Sequence, residues 1–159
     1  PRASLRGDWG LDHGTWTVLH HLRPAADCPV VQLSLDRRLP MSAHVEIGRA
    51  LAPLRDEGVL IVGSGNVTHN LGRLGPDGAP PAWALDFDAW VARTLDTWDV
   101  DALLDYPRSA PSLRLAHPSE EHFVPLLIAA GAAGERPRVR YPVLGFEYGS
   151  LSRRSMQFD

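Results

Sequence analysis

The chain has 159 residues, 44% of them apolar and 22% charged, with a formal net charge of −3. It is long enough to bury a core and too ordinary in composition for disorder. The mixed charges form no basic stripe for nucleic acid and no polybasic membrane patch, and no apolar run reaches the roughly 20 residues of a membrane span.

"CPVVQLSLD" (Cys28–Asp36) is a short, β-branched, largely apolar run after a proline-containing turn, which predicts a buried strand. "VEIGRALAPLRDEG" (Val45–Gly58) places Ile47, Leu51 and Leu54 at helical spacing, with Ser42 as N-cap, Gly58 as the stop and Pro53 shortening or kinking the run. "VLIVGSG" (59–65) is a second buried strand. Strand, helix and strand in succession form a βαβ unit with a right-handed crossover. The expected fold is therefore α/β, a central, largely parallel or mixed sheet covered by helices on both faces.

"RLGPDGAPP" (Arg73–Pro81) reads as a surface loop. Trp83, Phe87, Trp90, Val91 and Leu95 then recur at near-helical intervals and predict one or two amphipathic helices. "HPSEEHFVPLLIAAGAAG" opens a further helix around Ser119, Glu121 and His122, carries Phe123, Leu126, Leu127 and Ala130, and ends at Gly131 or Gly134. The tail from Arg138 alternates enough for one or two strands, with Gly149 at a bend. No linker divides residues 1–159, so a single domain, or a large part of one, is expected.

Seven histidines carry the chemical signal. His69 lies just past the end of the second predicted strand, where open α/β sheets place ligand sites. From position alone it is as well explained by a turn hydrogen bond as by a site. His122 stands at a helix start, while His117, five residues earlier across Pro118, lacks the i, i+4 geometry of a helical metal pair. His13 sits in "LDHGTW", where Asp12 could orient its ring and Gly14 opens the backbone. His44 is expected to cap or pack against its helix, and His20 and His21 to face solvent. "GSGNV" matches neither the G-x-S-x-G nucleophile elbow nor G-x-G-x-x-G.

Taken in order, "GLDHGTW", "PVVQLSLD", "LRDEGVLIVGSGNVTHNL", "HPSEEHFVPLLIAAGAAG" and "GSLSRRSMQ" resemble the class III extradiol ring-cleaving dioxygenases, in the DOPA-4,5-dioxygenase-like branch. The resemblance runs along nearly the whole chain and covers the C-terminal portion of that catalytic domain. It implies a non-haem metal, Fe(II) in active enzymes with Zn(II) as an alternative, and a catechol and O2 as the small-molecule partners. By the same resemblance His122 is a metal ligand, and His69 is the acid/base residue, close enough to count as a ligand too. His13 faces the substrate oxygens as a second catalytic group, with Asp12 and Asn70 beside the substrate, and His117 falls outside the site.

Two further histidine motifs of this family, G-H-G and S-A-H-W, do not occur in this chain. We therefore expect an N-terminal half, as a separate chain or a lost segment, to supply further ligands; the start at Pro1 without Met fits that reading. A homo-oligomer is compatible with it. The lone Cys28 excludes a disulfide framework and, with no export signal in the chain, points to the cytoplasm. Two other readings remain at this point: a binding protein on the same fold, and a zinc hydrolase using His69 and His122 with Asp12 or Glu121.

Overall fold

The computed structural model describes residues 4–159. Its core is helical. Helix α3 (Ala82–Asp96) buries Phe87, Trp90, Val91 and Leu95 at i, i+3, i+4 and i+8 spacing, the stripe expected of a helix with one covered face. Those residues meet Leu103 of α4 (Val100–Leu104), Tyr106 at the head of α5 (Tyr106–Ser109), and Phe123 and Leu127. The Tyr106 and Phe123 rings lie 4.6 Å apart, and Phe87 meets Phe123 edge-on at 5.8 Å. Such contacts bury large rings in the tilted geometries their quadrupoles favour.

Helix α7 (Val124–Ala133) is apolar all round and almost wholly buried, as a central helix should be. It begins where Pro125 can occupy the first turn and ends at Gly134, whose φ of +96° a side chain would strain. Against it lies α2 (Met41–Leu51), which buries His44, Val45 and Gly48. The two helices touch backbone to backbone: a Cβ on Gly48 would fall 2.1 Å from the Ile128 carbonyl oxygen, and one on Gly131 would fall 2.2 Å from that of Val45. Gly48→Ala should therefore force the helices apart and cost about 1–3 kcal/mol. Thermal denaturation should show a Tm lower by several degrees; an unchanged Tm would mean the contact yields freely.

Helix α2 starts at Met41 after Pro40, with no side-chain cap, so the expected Ser42 cap is not used. It ends at Leu51, and Ala52–Arg55 tighten into a 3-10 turn around Pro53. Gly58 follows at φ +83° and turns the chain out. Helix α1 (His13–Leu22), which the sequence patterning did not predict, is capped by Asp12 and buries none of its residues. The short helix α6 (Leu113–Ala116) precedes His117.

The expected parallel sheet is not found among the described residues. Cys28–Asp36 and Val59–Gly65 form no ladder, and Val31 and Leu60 are 82% and 73% exposed. Apolar β-branched composition favours an extended backbone, but a strand exists only through hydrogen bonds to a neighbour, and none lies beside these runs. The ladders present are antiparallel and short. Strand β1 (Val139–Arg140) pairs with β4 (Gln157–Phe158), and β2 (Phe146–Glu147) with β3 (Leu151–Ser152) across a turn at Gly149. No described helix is long and apolar enough to cross a membrane.

Candidate active site

Glycine brings the two histidine motifs together. A Cβ on Gly63 would meet the Pro125 carbonyl oxygen at 2.7 Å, and one on Gly65 would meet that of His122 at 2.2 Å. Only a chain without side chains at these two positions can lie so close to the start of α7. The Asn66 amide then donates to the His122 carbonyl at 3.0 Å, and the His69 amide to that of Ala116 at 2.8 Å. Segment 66–70 is thus stitched on both sides to residues 115–122.

On the other side of the junction, Phe123 is buried in the aromatic cluster, and its amide donates to Glu120 at 2.9 Å. That turn holds His122 at the threshold of α7. The outcome is a pair of half-buried imidazoles, His69 and His122, stacked with ring centroids 3.5 Å apart and planes inclined by 21°. Burial, and then the neighbouring His122, push the His69 pKa below the ordinary histidine range. At neutral pH its ring is therefore the neutral, proton-accepting form.

His117 stands behind this pair, 4% exposed, with its ring 5.3 Å from Phe87 and 5.5 Å from Phe123. Its Nε2 lies 2.7 Å from the Val67 carbonyl oxygen, so Nε2 carries the hydrogen and donates, and Nδ1 is left without a partner. Burial lowers its pKa to about 4. The unfolded chain, with histidine near 6.5, binds the proton more readily than the folded one. Stability is then full above about pH 6.5 and is lost as pH falls toward 4, by about 3 kcal/mol for this one group. Denaturant unfolding at pH 7 and pH 4.5 should show the loss, and His117→Asn should flatten it; an unchanged slope in the variant would remove His117 as its source.

The other residues singled out from sequence are placed as follows. His13 is the exposed first residue of α1, and the Gly14 carbonyl accepts the Ser64 hydroxyl at 2.7 Å, which ties the DHG motif to the glycine turn before His69. Asp12 accepts the Thr15 amide at 2.9 Å as a helix cap, not a bond from His13. Asn70 donates to the Leu115 carbonyl at 2.8 Å and accepts the Gly72 amide at 3.1 Å, so both ends of its carboxamide serve the local fold. Asp12 and Asn70 support the elements that carry the histidines.

His44, expected to cap or pack, is 1% exposed with Nδ1 unpartnered, and Glu121, weighed from sequence only as the carboxylate of a hydrolase, leaves its buried Oε2 bare. Ser119 donates its hydroxyl to Glu121 Oε1 at 2.7 Å, which with a backbone amide holds that carboxyl below the ordinary range. Placing the start of α2 at Met41 would have put His44 one turn before Gly48, on the buried face.

The sequence profile described as the catalytic LigB subunit of aromatic ring-opening dioxygenase matches residues 3–155. The chain belongs to this family. It is 44% identical over 151 residues to the 4,5-DOPA dioxygenase extradiol of Beta vulgaris and 43% identical over 155 to that of Escherichia coli K12, in each case over 94% of this chain and 56% of the relative. A crystal structure of an uncharacterized E. coli K12 protein superposes with a TM-score of 0.83 at 42% identity, over 93% of this chain and 62% of that one. The class III extradiol resemblance read from the motifs, and its DOPA-4,5-dioxygenase-like branch, are supported by these matches. The chain spans a little over half the length of the curated relatives it matches.

LigB-type dioxygenases depend on a non-haem metal, and imidazole nitrogen is a suitable donor for one. His122 and His69 fit part of such a donor set. Among the described residues no group of three or more His, Cys, Asp or Glu side chains is placed to hold an ion.

Proposed function

We propose that this chain is the histidine-bearing C-terminal portion of an extradiol dioxygenase that cleaves the ring of a catechol with O2, DOPA or a close dihydroxyphenyl relative being the substrate. The observation that carries the reading is the His69–His122 stack at the junction of the glycine turn and α7. In it His122 is the metal ligand and His69 the acid/base residue. A non-haem metal held there by His122 would supply Lewis-acid activation of the catechol and of dioxygen. The neutral His69 ring takes a proton from a catechol hydroxyl at an imidazole nitrogen and returns it later, the task for which a depressed histidine pKa is suited. His13, held beside the Ser64 turn, completes the substrate side as a donor to the developing oxygen charge.

A metal held by His122, with His69 beside it as the acid/base residue, calls for further ligands. We assign them to polypeptide outside these residues, whether a preceding segment or a separate chain. The uncovered apolar side chains favour this, since Leu5, Trp9, Trp16, Val31, Leu60 and Val62 are all more than half exposed on the part of the chain that lacks ladder partners. Such polypeptide would pair with Cys28–Asp36 and Val59–Gly65 and make them strands of a central parallel or mixed sheet. The exposed free thiol of Cys28 fits a reducing, cytoplasmic setting.

The test is oxygen consumption by the complete protein, reconstituted anaerobically with Fe(II) and then given a catechol and air. The expected result is stoichiometric O2 uptake with a yellow ring-opened product. Absence of uptake with every catechol tried would sink the reading. Ester or amide hydrolysis without O2 would support the zinc hydrolase in its place.

A further inference from the structure

At Glu121, the residue before His122, the fold leaves a cleft of about 330 Å³ between segment 35–41 and the 118–124 turn. Its polar lining is Arg37, His44, Glu120 and Glu121, set in a wall that includes Leu39 and Met41. Two of its atoms are buried without partners, His44 Nδ1 and Glu121 Oε2, and the His44 side chain is itself almost fully enclosed. Arg37 enters no salt bridge among the described residues, whereas its neighbour Arg38 is engaged by Asp36. Buried polar atoms in folded proteins are nearly always satisfied, so bare ones in a cleft mark where a ligand completes them.

From this arrangement we infer that the cleft is the subsite for the α-ammonium carboxylate tail of an aromatic amino-acid substrate. The inference rests on the ring-cleaving reading and names what that site selects. Glu121 Oε2 can only accept, and the donor best matched to a buried carboxylate oxygen is an ammonium. Arg37 can only donate, and its planar fork suits a carboxylate. His44 offers a nitrogen that accepts or donates according to tautomer. The apolar wall fits the methylene that joins the tail to the ring. Glu121 precedes His122 directly, so the tail lies next to the histidines that handle the ring.

The experiment uses the complete iron-loaded protein and four catechols: L-DOPA, dopamine without the carboxylate, 3,4-dihydroxyphenylpropionate without the ammonium, and 4-methylcatechol with neither. In the native protein kcat/KM should be highest for L-DOPA. Arg37→Met should lower the L-DOPA to dopamine ratio at least tenfold, mainly through KM, and Glu121→Gln should do the same to the L-DOPA to dihydroxyphenylpropionate ratio. Ratios unchanged in both variants would overturn the subsite. If the native protein cleaves none of the four, the ring-cleaving reading has failed, and anaerobic calorimetry still tests the cleft. L-DOPA binding at least tenfold weaker in each variant would uphold it, and affinities equal to the native protein's, or no binding to the native protein, would overturn it.

Discussion

His69→Ala is expected to lower turnover of a catechol by two to four orders of magnitude while most of the bound iron is retained; His122→Ala is expected to lose the iron itself. General acid–base catalysis by a positioned histidine is worth about 10²–10⁴ in rate, which sets the first figure. The second follows from position. His122 is held by the Glu120–Phe123 turn and by the Asn66 amide on its carbonyl, so its backbone is fixed from two sides. His69 is tied through its own amide to Ala116 and by contact of its ring with His122. Atomic absorption of the reconstituted proteins, alongside an oxygen electrode, reads both effects. Equal loss of iron in the two variants would make His69 a ligand and remove it as the proton carrier.

Asp88→Ala should destabilise the fold by about 3–5 kcal/mol, because it strands a buried cation. Asp88 and Arg154 are 12% and 14% exposed at their side chains and meet in a two-pronged pair: Arg154 Nη2 donates to Oδ2 at 2.6 Å and Nε to Oδ1 at 3.0 Å. Oδ1 also accepts the Ser152 hydroxyl at 2.5 Å. The same serine donates its amide to Thr68 Oγ1 at 2.7 Å, and Thr68 donates to the Ser150 carbonyl at 2.8 Å. Thr68 immediately precedes His69, so loss of Asp88 should loosen the histidine segment as well as the core. Urea denaturation checks the first effect. Asp88→Leu combined with Arg154→Met should recover much of the stability, since it leaves no charge buried alone. A double variant as unstable as Asp88→Ala would show that the damage comes from elsewhere.

Much of the helical framework was legible in the sequence. The spacing of Phe87, Trp90, Val91 and Leu95 places one face of α3, and the glycines at 58, 134 and 149 all stand at positive φ where the chain turns. The start of α7 was read a few residues early, because Ser119 resembles a cap, whereas it donates to Glu121 within a turn that precedes the helix. Segments 28–36 and 59–65 form no ladder among the described residues for a different reason. Local composition reports a tendency to extend, and pairing depends on a neighbour that local composition does not contain. Helix α1 went unread because its faces carry no buried stripe, so its periodicity is weak.

The site divides along the same line. Motif order along the chain was enough to single out His13, His69 and His122 and to suggest ring-cleaving chemistry, because residue type and spacing persist in sequence. Sequence could not decide that Gly63 and Gly65 exist to let one backbone touch another, nor that His117, set aside as peripheral, is locked to Val67 behind the stacked histidine pair. It could not show that His44 and Glu121 turn bare atoms into one cleft. These relations join segments about 50 to 80 residues apart. They arise from close packing and from satisfying buried hydrogen bonds, which are properties of the folded neighbourhood and of no stretch of the chain taken alone.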